Sequence, residues 1–220
     1  ALLLQMQGDG ALGLLLAECS SDYALRGTAR WTEPIAPAPL STLLGSGRCA
    51  ITLGDRGAAS YQGVVPIEGA SLSQALESYM QRSEQLETQI ALHAGTDAAV
   101  GLLLQRVPGG HDSDPDDWNR VRHLARTASA QELRELAVPT LLRRLFAHDD
   151  VRLFDGRPLA FACSCSQKRV QGMLLGLGRA EVEEVLAEQG RIEVTCEFCG
   201  QVYTFDPDQC RELFSAQGNA

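Results

Sequence analysis

Four cysteines in two close pairs constrain this chain more than any other feature. Cys163-Ser164-Cys165 and Cys196-Glu197-Phe198-Cys199-Gly200 are separated by the thirty residues 166–195. Each pair is tight enough to bite one ion. Closed structural zinc sites take four tetrahedral ligands, and thiolates are the preferred soft partners. The segment must then fold so that two stretches of chain meet at one point. Cys196-x-x-Cys199-Gly200 reads as a zinc knuckle, with the glycine allowing a tight turn beneath the metal. Cys163-x-Cys165 has a one-residue spacer, makes a cramped chelate, and reads as the more reactive half. Two buried pairs of small hydrophobes, or a thioredoxin-like Cys-x-x-Cys at a strand-to-helix turn, are the competing readings. Val202-Tyr203-Thr204-Phe205 follows the second pair with strand alternation, so a knuckle between two strands fits better. A permanently structural, redox-inert metal site stays open at this point.

Composition narrows the classes. With 220 residues and 45% hydrophobic content, the chain can bury one good core and a smaller unit. Its 28 acidic against 19 basic side chains give a formal charge of -9, and metal-bound thiolates would add to it. Nucleic acid is therefore not the expected partner, since phosphate binding needs a basic surface. No apolar run approaches the roughly 20 residues of a membrane span, so no membrane partner is expected. No signal peptide is visible, although Ala1 is not a natural start. Thiols in metal-ligand spacing point to the cytoplasm rather than to a secreted disulfide framework.

Residues 1–110 read as a mixed α+β core. Leu2–Gln7 and Leu12–Cys19 form a hairpin around Gly8-Asp9-Gly10; Tyr23–Trp31, Arg48–Leu53 and Tyr61–Ile67 are further strands. Pro34, Pro37 and Pro39 mark a loop. Ser71–Ser83 switches to helical period, with Ser71 and Gln74 as a capping box and Leu72, Ala75, Leu76 and Tyr79 on one face. Ile90–His93 and Val100–Val107 close the sheet region. No phosphate loop, dinucleotide fingerprint, His-Glu-x-x-His or nucleophile elbow occurs, so no enzyme is expected. His93, His111, His123 and His148 are scattered and read as structural. Cys19 and Cys49 lie in strand patterns and read as core.

Residues 111–160 read as a helical linker. Asp114-Pro115 starts a helix carrying Trp118, Val121, Leu124 and Ala125. Ser129 and Glu132 make a second capping box, followed by Leu133 and Leu136. Pro139 breaks the pattern, and Leu141, Leu142, Leu145 and Phe146 make another short amphipathic helix. Helices this short are marginal alone, so their apolar faces must dock on something. Residues 161–220 form a small C-terminal unit. Val151–Phe161 leads extended into the first pair, and Lys168 and Arg169 lie where positive charge favours a Cys165 thiolate. Helices carrying Val170, Met173, Leu174 and Leu177, then Val182, Val185 and Leu186, precede a strand with Ile192 and Val194. Asp206-Pro207 opens a last helix through Leu213 and Phe214, where Cys210 reads as a spare thiol.

This cysteine pattern near a C-terminus resembles the redox-regulated 33 kDa heat-shock chaperone family. Leu4-Gln5-Met6-Gln7-Gly8-Asp9-Gly10 is similar to that family's first hairpin. Tyr61-Gln62-Gly63-Val64-Val65, Glu68-Gly69, Ser83-Glu84-Gln85-Leu86 and Gly101-Leu102-Leu103-Leu104-Gln105 are similar to later segments. Family members carry a further N-terminal segment, and Cys19, Cys49 and Cys210 fall outside the shared signature. The resemblance implies a chaperone core, a helical linker and a four-cysteine redox-switch domain. It implies one zinc ion per reduced chain, held by Cys163, Cys165, Cys196 and Cys199. It also implies an ATP-independent holdase, inactive while reduced. Oxidation forms the disulfides Cys163–Cys165 and Cys196–Cys199, zinc leaves, and the switch and linker unfold. The activated protein, a homodimer, then binds unfolded or partly unfolded client proteins. Leu133, Leu136, Leu141, Leu142, Leu145 and Phe146 are the expected client surface, since exposed apolar side chains bind unfolded chains.

Two alternatives stand beside this reading. One is a constitutive structural zinc-ribbon interaction module, disfavoured toward nucleic acid because 181–197 is acidic with Arg191 its single base. The other is a thiol–disulfide oxidoreductase using Cys196 and Cys199, disfavoured by the strand–knuckle–strand pattern.

Overall fold

A computed structural model describes residues 1–32, 34–54, 61–108 and 115–217. In chain order it holds β1 (Leu2–Gln7), β2 (Leu12–Cys19), β3 (Ala24–Trp31), α1 (Leu40–Leu44), β4 (Arg48–Leu53), β5 (Tyr61–Pro66), α2 (Leu72–Tyr79), β6 (Thr88–Ala94) and β7 (Ala99–Gln105). There follow α3 (Pro115–Arg126), α4 (Ala130–Glu135), α5 (Val138–Leu145), β8 (Ala160–Phe161), α6 (Gln167–Leu177), α7 (Arg179–Gln189), β9 (Ile192–Thr195), β10 (Val202–Phe205) and α8 (Pro207–Gln217). The expected mixed α+β class holds. The chain divides into two compact units, Ala1–Tyr23 with Ala29–Leu159, and Ala24–Thr28 with Ala160–Ala220.

In the first unit, β5, β4, β1, β2 and the Ala29–Trp31 end of β3 are neighbours in that order. Register explains its core. Met6 stands opposite Leu15 and Cys49, and Cys49 opposite Val65, so alternate residues of four strands share one face. Leu40 and Leu44 of α1 and Ala75 and Tyr79 of α2 close over that face. The five-residue α1 has no amphipathic repeat to announce it and was not expected from the sequence; the Leu44 carbonyl accepts from the Gly10 N–H. Tyr23 precedes its strand rather than opening it, in the left-handed region at φ 60. Cys49 is core as expected, but Cys19 is only partly buried and sits at the end of its strand.

The helix expected over 71–83 is shorter. Ser71 caps α2 through the Gln74 N–H, but the Gln74 side chain accepts from Ala70 rather than from Ser71. After Tyr79 the chain widens into a π-helical turn, Met80–Glu84. That turn brings the Glu84 carboxylate within reach of the Tyr61, Tyr79 and Ser83 hydroxyls, which all donate to it. Leu72 is exposed, so the buried face of α2 is carried by Ala75 and Tyr79. β6 and β7 do not close the main sheet; they form a two-stranded sheet of their own, ending at Gln105 with Val107 exposed.

That second sheet carries the helices. Ala125, Leu141, Leu145 and Phe146 are buried together, with Leu102, Leu104, Val121, Leu124, Leu133, Leu136 and Leu142 packed around them. The marginal helices thus dock on β7 and α3. The Ser129–Glu132 capping box is present. Arg144 donates to Glu132 and to the Thr127 carbonyl, tying α5 to the start of α4. Pro139 does not end a helix. It sits in the first turn of α5, where its missing N–H costs nothing. The Asp114 cap and His111 lie outside the described residues.

The second unit has its own core of Val170, Leu174, Val182, Ile192, Phe205 and Cys210. Met173 and Leu177 of α6 are exposed, because the buried stripe runs through Val170 and Leu174 alone. β9 and β10 form the expected hairpin, with Val202 opposite Thr195 and Phe205 opposite Ile192. β8 runs parallel to the start of β3, pairing Ala160 with Ala24 and Phe161 with Leu25.

A four-thiol centre in the second unit

The β9–β10 hairpin presents the second cysteine pair at its turn. The Cys196 N–H bonds the Gln201 carbonyl, and the Gly200 N–H bonds the Cys196 carbonyl at 2.8 Å. Gly200 takes φ 72, a left-handed conformation that a side chain would strain, so the knuckle requires glycine there. The first pair lies between β8 and α6. Ser166 caps α6 by accepting from the Arg169 N–H, which fixes where the chain leaves Cys165.

The Sγ atoms of Cys163, Cys165, Cys196 and Cys199 all lie within 4.8 Å of one another, a group that can hold a metal ion. Cys163 Sγ is 3.6 Å from Cys196 Sγ, and Cys165 Sγ is 3.4 Å from Cys199 Sγ. All seven cysteines are free thiols. Four thiolates about 2.3 Å from a tetrahedral ion lie about 3.8 Å apart, so the spacing suits that donor set. Cys210 is buried in the core instead, and burial raises its thiol pKa.

The surroundings set the sulfurs apart. The Cys165 N–H, with help from the neighbouring thiols, pulls Cys163 down to about 6. The Gln201 N–H pulls Cys199 down, but Cys165, desolvation and the other thiols outweigh it and push it up to about 12. Arg169 donates to the Ser164 carbonyl and hydroxyl, which places its guanidinium beside the first cysteine pair.

Two contributors were not foreseen. Tyr203 donates from its hydroxyl to Cys165 Sγ at 3.1 Å. Arg26 of β3 donates to the Ser164 hydroxyl at 2.8 Å, and its guanidinium sits 4.4 Å over the Phe198 ring. Tyr203 alternates with Phe205 just beyond the second cysteine pair, a pattern that could have marked it. Arg26 lies 138 residues from Ser164, and nothing local announces it.

The expected client side chains are covered in this state. Leu141, Leu145 and Phe146 are buried, and Leu133, Leu136 and Leu142 partly so. The segment after them exposes Val151, Leu153, Phe154, Leu159 and Phe161. No helix among the described residues is long and apolar enough to cross a membrane.

Residues 1–206 match the family model described as Hsp33 protein. A 33 kDa chaperonin of Methylobacillus flagellatus is 44% identical over 219 residues, covering 99% of this chain and 75% of that protein. The 33 kDa chaperonin of Nitrosococcus oceani is 44% identical over 222 residues, covering 100% of this chain and 76% of its own. The crystal structure of a 33 kDa chaperonin, a heat shock protein 33 homolog from Thermotoga maritima, shares the fold. It superposes with a TM-score of 0.82 over 100% of this chain and 79% of that one, at 20% identity. By the family model and by relatives of this similarity along nearly its whole length, the chain belongs to the Hsp33 family of chaperones.

Proposed function

We propose that this chain is a redox-regulated, ATP-independent holdase. It is inactive while its four cysteines are reduced, and oxidation of those sulfurs switches it on. The observation that carries the reading is the convergence of four thiols from two separate segments onto one point. The organisation follows: a chaperone core over 1–110, a helical linker over 111–160 and a redox switch over 161–220.

Zinc held by Cys163, Cys165, Cys196 and Cys199 would supply ligation free energy that acts as folding free energy, roughly 10–16 kcal/mol in finger peptides. The sulfurs do the switching. A bond within each pair, Cys163–Cys165 or Cys196–Cys199, takes two donors out of the centre and leaves the two segments unlinked. A bond across the pairs would staple those segments together and keep the unit closed. The family resemblance implies pairing within each segment, which leaves the unit able to open. The one-residue spacer strains Cys163–Cys165, and a strained disulfide is readily reduced again, as a reversible switch needs. The helices α4 and α5 then release Leu133, Leu136, Leu141, Leu142, Leu145 and Phe146 to unfolding clients, and the active form is a homodimer in the cytoplasm.

The test treats reduced, zinc-loaded protein with peroxide at a mildly unfolding temperature. Zinc release is followed with a metallochromic dye, client aggregation by light scattering, and disulfides by peptide mapping. One zinc per chain should leave, within-pair disulfides should form, and client scattering should fall. Zinc loss with unchanged client scattering would refute the reading. Client protection equal in reduced and oxidised protein would favour the constitutive zinc-ribbon module instead.

A further inference from the structure

We propose that Tyr203 is a positioning residue of the thiol switch. Its hydroxyl holds the Cys165 sulfur back as a nucleophile and so sets how readily the centre is oxidised. The proposal rests on the redox reading above and deepens it.

The geometry is specific. Tyr203 stands on β10 opposite Val194, and its ring packs against the core of Val170, Leu174, Val182, Ile192 and Phe205. The ring is thereby anchored while its hydroxyl reaches Cys165 Sγ at 3.1 Å. Tyr203 follows the second cysteine pair in sequence but bonds a sulfur of the first. Cys163 and Cys199 accept from backbone N–H groups, of Cys165 and Gln201. Those donors are fixed by the chain path, whereas the Tyr203 hydroxyl is a side-chain donor that can be removed without altering that path. Outer-shell donors of this kind orient sulfur ligands and tune them.

Oxidation by a peroxide makes the consequence explicit. The Cys165 thiolate attacks one peroxide oxygen; the S–O bond forms as the O–O bond breaks, and hydroxide leaves to be protonated to water. A second cysteine thiolate then attacks the sulfenic sulfur, the S–S bond forms, and a second hydroxide leaves as water. Two thiols and one peroxide thus give one disulfide and two waters. In the first step charge flows off sulfur, so a hydrogen bond to that sulfur weakens toward the transition state. With a metal bound the coordinating sulfurs would be deprotonated with or without the hydroxyl, so the Tyr203 hydroxyl stabilises the starting thiolate more than the transition state and slows attack. Sulfur nucleophilicity responds to roughly half of such stabilisation, which sets the expected effect at about 3- to 10-fold.

The experiment compares reduced, zinc-loaded wild type with equally zinc-loaded Y203F, which keeps the ring in the core and removes the hydroxyl. Each is exposed to hydrogen peroxide and quenched at intervals by alkylation. Fragment ions then report the loss of Cys163 and Cys165 thiols separately. Cys165 should be lost about 3- to 10-fold faster in Y203F, with Cys163 changed less. An unchanged Cys165 rate, in a variant that keeps the wild-type far-ultraviolet spectrum and melting point, would overturn the proposal. A second variant carries 3-fluorotyrosine at 203, a stronger donor of nearly the same size. It should slow Cys165 oxidation, and a wild-type rate there overturns the proposal even if Y203F folds poorly. A wild-type protein that keeps its thiols under peroxide would instead defeat the redox function itself.

Discussion

Replacing Leu145 by alanine tests whether the cluster around α3 to α5 keeps the proposed client surface closed. The helices α4 and α5 span six and eight residues, shorter than the roughly 12–15 that isolated helices need in water. They persist because Leu141, Leu145 and Phe146 are buried, each worth about 1.5–3 kcal/mol. Leu145 is only 3% exposed. L145A removes its transfer term and leaves a cavity, a combined cost of about 2–5 kcal/mol. About 3 kcal/mol within that range raises the population of locally opened helices roughly 100-fold. Hydrogen exchange at residues 130–146 of the reduced protein should accelerate by that order, while exchange in β1 to β5 stays as in wild type. Reduced L145A should then suppress client aggregation without oxidant. If exchange accelerates and the reduced variant remains inert, these leucines are not the client surface. If exchange does not change, the packing argument itself is wrong.

Three further outcomes are expected. At Gly63 an added Cβ would lie 2.1 Å from the Tyr79 hydroxyl and 2.3 Å from Ser83 Oγ, so G63A should cost about 1–3 kcal/mol, read as a lowered urea midpoint. The Ser129 N–H and hydroxyl, then Arg144, hold Glu132 below the usual carboxylate range. Its contribution is therefore present above its unfolded value of about 4.3 and is lost as pH falls through the lower folded value. Exchange at α4 should accelerate on that acid limb in wild type and respond less in E132Q. R26A removes both the stacking on Phe198 and the bond to Ser164, and at an exposed site the stacking part is worth about 0.5–1 kcal/mol. The variant should lower the zinc affinity measured by chelator competition; an unchanged affinity would show that Arg26 does not hold the centre.

Much of this was legible in the residues, for reasons that can be named. The four thiols were found because metal chelation demands short spacing, and spacing is written in sequence. The hairpins were found through alternation and turn glycines, and the α4 cap through its Ser129–Glu132 pair. What failed was whatever depends on distant partners. Nothing in Thr88–Gln105 states that β6 and β7 pair with each other alone. The proline in α5 reads as a breaker in the sequence because position within the first turn cannot be read without the cap. Met173 and Leu177 satisfied helical period, yet the stripe that packs is narrower than the stripe that is apolar. The π-helical turn after Tyr79 answers to hydroxyls converging on Glu84, one of them from Tyr61 in a different stretch of chain.

The pairing of β8 with the start of β3 has a consequence for biosynthesis. Ala24–Thr28 leave the ribosome long before Ala160, yet they belong to the same compact unit, and the Ala162 N–H closes on the Leu25 carbonyl. Through most of translation that stretch of backbone is an unclaimed strand edge, the kind that pairs with strangers. A nascent protector of other polypeptides thus spends much of its own synthesis in need of protection, until Ala160 and the residues after it emerge to cover what Ala24–Thr28 left open.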